Sequence, residues 1–293
     1  MKIIETLISG LNVGVIYAMI ALGYTMVYGI AKLLNFAHGD IIMVGGYTVC
    51  VFCAMNASPA FFAVAVLASV AVCMLLGVTV ERVAYRPLRG ASPLAVLITA
   101  IGVSYLLQSL AQICFGSAPK YVSVPDLGKI TLGALNIKVS TLITLAASVV
   151  VMVALSVFVK YSKTGRAMIA VSEDRDAAKL MGINVNSIIT VTFAIGSALA
   201  ALAGVFYLLQ SPYINNTFGA MPGIKAFTAA VIGGIGSIPG AMLGSIVLGI
   251  IESICDAIPV IAPYKDAIEF SILIVILLVR PTGFLGKKRR EKV

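Results

Sequence analysis

The stretch Leu142-Ile143-Thr144-Leu145-Ala146-Ala147-Ser148-Val149-Val150-Val151-Met152-Val153-Ala154-Leu155-Ser156-Val157-Phe158-Val159 contains no charged residue, no glycine and no proline. A helix crossing the hydrocarbon core of a bilayer needs about 20 mostly apolar residues, and this run supplies that length. A strand of a membrane barrel would instead alternate lipid-facing and lumen-facing residues over about ten positions. Lipid offers no water to backbone N–H and C=O groups, so a segment that pairs them internally is required. The stretch therefore reads as a transmembrane α-helix.

Working outward, residues 6–31, 41–80, 90–119, 139–159, 180–224 and 226–251 also lack Asp, Glu, Lys and Arg. Only 11% of the chain is charged, 60% is apolar and the mean hydropathy is +1.06. Soluble domains carry about a quarter charged residues, and a soluble bundle of buried helices would need a polar outer layer that this chain lacks. The expectation is an all-α, polytopic transmembrane bundle of about eight spans, one transmembrane domain over 1–293. Helices are expected near 8–30, 39–55, 60–81, 94–115, 139–159, 187–209 and 266–280. Asn56-Ala57-Ser58-Pro59 breaks the 41–80 run with a turn. Residues 224–258 form a divided region, because Gly233-Gly234-Ile235-Gly236-Ser237-Ile238-Pro239-Gly240 interrupts it, and a broken or re-entrant helix is expected there. The first apolar stretch, Thr6–Ala31, is too long for a signal-peptide core and reads as a retained span.

Lys and Arg set orientation. Arg82–Arg89, the loop 160–186 and the basic tail 281–293 are expected on the cytoplasmic side, with the C-terminus inside. Segments 116–138 and 211–223 then face outward, although the former holds Lys120, Lys129 and Lys138. Counting back puts the N-terminus outside and gives eight or nine crossings. The net charge of +9 gathers at segment ends, where it suits lipid headgroups rather than nucleic acid. Cys50, Cys53, Cys73, Cys114 and Cys255 are scattered through apolar runs with no nearby His, so they read as small packing residues, not as metal ligands or a disulfide framework.

No Gly-x-x-x-x-Gly-Lys-Ser/Thr phosphate loop occurs, so the chain binds no ATP by that route. Nothing marks a catalytic centre, a metal site or a cofactor of its own. The pairs Gly10/Gly14, Gly236/Gly240/Gly244 and Ala194/Ala198 let helices approach closely. Polar groups at membrane depth are costly, so Asn12, Asn35, His38 and Asp40, with the helix-break residues Gly233, Gly234, Gly236 and Pro239, are candidate pathway or structural residues. The cluster Asn35–Asp40 has two readings, capping of the second span or lining of a path. Glu252, Asp256 and Glu269 are expected near the outer end of the last spans, either lining a mouth or exposed at the interface. In the hydrophilic loop, Ser172 is expected to cap a helix whose first turn holds Glu173, Asp174 and Asp176. Ala177, Leu180 and Met181 would form its apolar stripe and Gly182 would end it. Three acids in one turn suit an anionic lipid surface poorly, so this helix is expected to meet a protein.

Three stretches carry a family resemblance: Gly10–Ala18 leading into Leu34–Asp40, Gly165-Arg166-Ala167 through Gly182-Ile183-Asn184, and Ala226–Ala241. With them the chain resembles the permease subunits of bacterial ABC importers for branched-chain amino acids, specifically the first of that importer's two permeases. The resemblance implies a bacterial inner-membrane protein that pairs with a second homologous permease. Two ATP-binding subunits would supply ATP and Mg, and a periplasmic amino-acid-binding protein would deliver the solute. It also implies that Glu173, Asp174, Arg175, Asp176, Ala177, Ala178, Leu180, Met181 and Gly182 belong to a coupling helix seated on an ATPase subunit. Permeases for urea, short amides or other amino acids look similar. A stand-alone secondary transporter and a membrane scaffold are the competing readings, and neither gives the loop helix a role.

Overall fold

The structure is a computed structural model, described for residues 2–56, 58–125, 127–132 and 135–286. Ala57 of the expected turn and the tail residues Lys287, Lys288, Arg289, Arg290 and Lys292 lie outside the described residues.

Among the described residues the chain forms eleven α-helices in the order α1 (Lys2–Ala31), α2 (His38–Met55), α3 (Pro59–Val80), α4 (Pro93–Phe115), α5 (Val139–Tyr161), α6 (Lys163–Glu173), α7 (Arg175–Leu180), α8 (Val185–Gln210), α9 (Ala220–Gly233), α10 (Ile238–Ala257) and α11 (Lys265–Val279). Seven of them, α1 to α5, α8 and α10, are long and apolar enough to cross a membrane. α9 is apolar but shorter, and α11 is 15 residues long and opens with Lys265, Asp266 and Glu269. The chain is thus a multi-pass helical membrane protein.

Helix starts follow local chemistry. Ser58 caps α3 by accepting from Phe61 N at 3.3 Å, Ser92 caps α4 from Ala95 N at 3.3 Å, and Ser237 caps α10 from Gly240 N at 3.3 Å. Each is followed by a proline in the first turn, where its missing N–H costs nothing. Past Val80 the helix widens into a π turn over Glu81–Tyr85, which swings both of those side chains inward. Glu81 pairs with Arg89 and accepts from Thr190 Oγ1 at 2.8 Å, while Arg89 also donates to Asn186. The 81–89 turn is thereby stapled to the start of α8.

The core runs around α1, whose residues from Val15 to Ala31 are largely buried. α1 packs lengthwise on α10, α8 and α9. Along the α1–α10 seam glycines leave no room for side chains: a Cβ on Gly10 would lie 2.8 Å from Ile250 Cα, and one on Gly14 2.8 Å from Ile246 Cα. The outer helices show the reverse pattern, with Leu75 69%, Val150 65%, Ile113 80% and Leu278 80% exposed. Apolar side chains on the outside and packed glycine inside are what lipid as solvent selects.

The divided region resolves as a helical hairpin rather than one interrupted span. α9 ends at Gly233, Gly234 (φ 108°) and Gly236 (φ 93°) turn the chain, and α10 returns antiparallel with Gly244 packed on Ala229 and Gly233. The turn sits at one end of the bundle, where Phe284 N and Leu285 N donate to Ile232 O and Gly233 O at 2.9 Å.

Among the described residues four short strands also form, which the reading of the chain as helices and loops did not anticipate. β1 (Lys120–Tyr121) pairs antiparallel with β4 (Tyr213–Ile214), and β2 (Lys129–Leu132) pairs with β3 (Leu135–Lys138). They are too short to stand out in periodicity, and long-range pairing defines the first of these ribbons.

Candidate functional site

The segment between α5 and α8 folds into two short helices, neither of them long enough to cross a membrane. Ser162 caps α6 by accepting from Gly165 N at 2.8 Å. Gly165 is required because a Cβ there would meet Val159 Cα at 2.5 Å as the chain folds back on α5. Met168 and Val171 bury one face of α6. The helix then breaks at Asp174 (φ −151°, ψ 115°), whose carboxylate accepts from Asp176 N at 2.9 Å and Ala177 N at 3.0 Å. Asp174, not Ser172, is therefore the cap of α7. Ser172 stays inside α6 and donates to Ile169 O at 2.7 Å. Gly165–Asn184 reads in sequence as one or two short helices; the structure has two, and the break falls at Asp174, two residues past the expected cap. Gly182 (φ 79°) closes α7 in the left-handed conformation, with Ile183 N donating to Ala178 O at 3.0 Å.

α7 shows two faces. Ala178 is buried and Arg175 turns inward, where its guanidinium donates to Ile30 O at 3.1 Å and to Ala31 O, the last carbonyls of α1. Burial, and then the neighbouring Arg89, pull that guanidinium below its ordinary pKa. Glu173, Asp174, Asp176, Ala177 and Gly182 face outward, and Leu180 and Met181 are 89% and 82% exposed. The expected apolar stripe is real but covers nothing in this chain. Two large apolar side chains thus stand bare beside the acids of this turn.

The other candidate residues lie inside. Asn35 accepts from Tyr85 Oη at 2.7 Å, and Asp40 accepts from Gln108 Nε2 of α4 at 2.9 Å. The cap position of α2 is Ala37, with no side-chain cap, so the capping reading of Asn35–Asp40 does not hold at that position. Asp40 does occupy the first turn of α2, where negative charge complements the helix dipole. The His38 ring packs 4.6 Å from Tyr24 and fills the space over Gly23. Asn12 is buried on α1, and among the described residues its Oδ1 has no hydrogen-bond partner. Gly39 meets the backbone of Gly219 just before α9, a contact at which two helix starts meet within the bundle. These residues form packing contacts rather than a single open cluster. Pro239 lies in the first turn of α10, and Gly233 packs against the same turn.

At the end of the bundle opposite α7, a charge cluster joins three helices. Lys225 Nζ of α9 lies 2.7 Å from Glu252 Oε1 of α10, 2.8 Å from Asp266 Oδ1 and 3.4 Å from Glu269 Oε2 of α11. Tyr17 of α1 donates to Glu252 Oε2 at 2.7 Å, and Lys265 bridges Glu252 at 3.3 Å and Asp256 at 3.0 Å. Glu252 and Glu269 are buried, which matches neither mouth-lining nor interfacial exposure; Asp256 alone stays open.

The family model described as branched-chain amino acid transport system, permease component, matches residues 6–277. The chain belongs to that family. It is 43% identical to the high-affinity branched-chain amino acid transport system permease protein BraD of Pseudomonas aeruginosa, over 99% of this chain and 98% of the relative. It is 42% identical to the corresponding permease protein LivH of Escherichia coli K12, over 99% and 97%. A probable permease LivH of Methanocaldococcus jannaschii matches at 25% over 92% of this chain.

In this permease two site features escaped sequence reasoning. Lys225 stands alone between the uncharged runs 180–224 and 226–251. That isolation is the signal that finds it, since a lone cation at membrane depth demands partners. Glu81, at the end of the 41–80 run, is wholly buried, a fact that only the π turn explains.

Proposed function

We propose that this chain is the membrane-spanning permease subunit of an ATP-driven importer for branched-chain amino acids. It pairs with a second homologous permease in the inner membrane. The α6–α7 end lies in the cytoplasm together with the C-terminus. Two ATPase subunits bind and hydrolyse ATP with Mg there, and a periplasmic binding protein delivers leucine, isoleucine or valine at the opposite end. Glu173–Gly182 is the coupling surface on which an ATPase subunit sits.

The single observation that carries this reading is the bare apolar pair Leu180 and Met181, which cover nothing in their own chain although they stand on a capped helix held to the bundle by Ala178 and Arg175. Family membership along nearly the full length supports the solute class through relatives whose names specify it. A stand-alone transporter would leave that surface without a purpose. Mechanistically, closing of the ATPase dimer displaces α7. The helices joined to it then tilt between states open to either side, each state favoured by a different ligand set. The mostly apolar bundle with few charges suits a zwitterion with an apolar side chain, while selectivity rests with the delivering protein.

The test is uptake of labelled leucine into vesicles holding the full complex. Uptake abolished by ATP depletion and insensitive to uncouplers is expected. Uptake by this chain alone, driven by an ion gradient, overturns the reading.

A further inference from the structure

We infer that Arg175 is the link through which displacement of α7 reaches α1, a positioning residue for coupling rather than a contact for the ATPase subunit. The inference rests on the permease reading above. The last carbonyls of a helix have no partner within it. In α1 the first of them is closed by one more ladder bond and the other three are held by side chains. Tyr28 O accepts from Lys32 N at 3.0 Å, and Gly29 O accepts from Lys32 Nζ. Ile30 O accepts from Arg175 Nη2 at 3.1 Å, as does Ala31 O. A cation at this position also meets the negative end of the helix dipole.

Besides its junction with α6 and the buried Ala178, two attachments of α7 lead onward to long helices of the bundle. One is the chain itself, which runs through the Gly182 turn into α8. The other is Arg175, the side chain of this short helix that turns in while Asp174, Asp176, Lys179 and Leu180 turn out. α1 in turn meets α10 backbone to backbone at Gly10, Gly14 and Gly249, with no flexible side chain between them to absorb movement. A push on Leu180 and Met181 thus passes through one guanidinium to the terminus of the central helix, and from there to α10 as a rigid body. Without Arg175 the push has no direct route to the α1 terminus and reaches the bundle only through α8 and the neighbouring α6.

The experiment uses the complete complex in proteoliposomes and measures ATP consumed per leucine imported. Arg175→Met keeps the aliphatic stem packed and removes every donor. The ATPase subunits are expected to co-purify at the wild-type ratio, while ATP consumed per leucine rises about tenfold, the factor carried by one charged hydrogen bond. Arg175→Lys, which still presents a charged donor to the α1 terminus, is expected to recover part of the ratio. A wild-type ratio in Arg175→Met overturns the inference. Loss of the ATPase subunits from that variant also overturns it, because Arg175 would then be a docking contact. Failure of both Arg175→Met and Arg175→Lys to yield folded permease assigns the residue to folding and overturns it too. If the wild-type complex imports nothing on ATP addition, the permease reading itself falls, and the inference with it.

Discussion

Lys225 Nζ donates to Glu252 Oε1 at 2.7 Å across α9 and α10, with side-chain exposures of only 5% and 9%. Breaking a buried pair by removing one partner leaves an uncompensated charge and costs about 3–5 kcal/mol. Lys225→Met strands the fully buried Glu269 and leaves Glu252 with only Lys265 and Tyr17, so a loss of that size is expected. Glu252→Gln costs less, about 1–3 kcal/mol, because Lys225 keeps Asp266 and Glu269. Thermal unfolding of the purified protein gives the ranking; Glu252→Gln as damaging as Lys225→Met would contradict the account.

The α1–α10 seam predicts opposite signs for two glycine substitutions. A Cβ on Gly14 would lie 2.8 Å from Ile246 Cα, backbone that cannot step aside. Gly14→Val is therefore expected to destabilise by at least about 1–3 kcal/mol through overpacking. Gly102 on α4 has nothing within 4 Å of its Cβ position. Gly102→Ala is expected to stabilise by about 0.5–1 kcal/mol, the ordinary helix preference for alanine. Melting curves of both variants check the pair.

Tyr85→Phe tests the buried contact between the π turn and the loop before α2. Asn35 Oδ1 accepts from Tyr85 Oη at 2.7 Å, and both side chains are nearly inaccessible. Leaving that acceptor unpaired is expected to cost about 1–3 kcal/mol. Equal melting temperatures for wild type and Tyr85→Phe would show that the bond contributes nothing.

Leu180→Asp with Met181→Asp separates folding from assembly. Both side chains are exposed, so the isolated permease is expected to keep its stability within about 0.5 kcal/mol. Association with the ATPase subunits is expected to drop by a factor of 10 or more, since burying each such side chain contributes about 1.5–3 kcal/mol. Pull-down of the ATPase subunits from co-expressing membranes reads the second effect, and undiminished recovery refutes the docking role.

The spans were legible because lipid imposes a rule that composition obeys: the observed α3, α4 and α5 begin and end within two residues of the expected 60–81, 94–115 and 139–159. Serine caps with following prolines fixed the starts of α3 and α4 locally. What stayed hidden depends on partners distant in sequence. Asp174 and Ser172 are both able to cap, and packing of α6 on α5 decides between them. The inward turn of Arg175 follows from the position of the α1 terminus, far away along the chain. Burial of Glu252 and Glu269 becomes intelligible only once Lys225 is seen between them. The four short strands had no periodicity long enough to read.

Because Gly14 and Gly249 seal α1 to α10, the bundle cannot close while it is being made. At about 5–20 residues per second, the first helix waits roughly 10–50 s in the bilayer before its mate emerges. Throughout that interval its glycine face is bare, available to any other small-residue helix nearby. Membrane insertion and folding are thus separated in time for this chain, and a ribosome that stalls before residue 246 leaves every early helix inserted around a missing keystone.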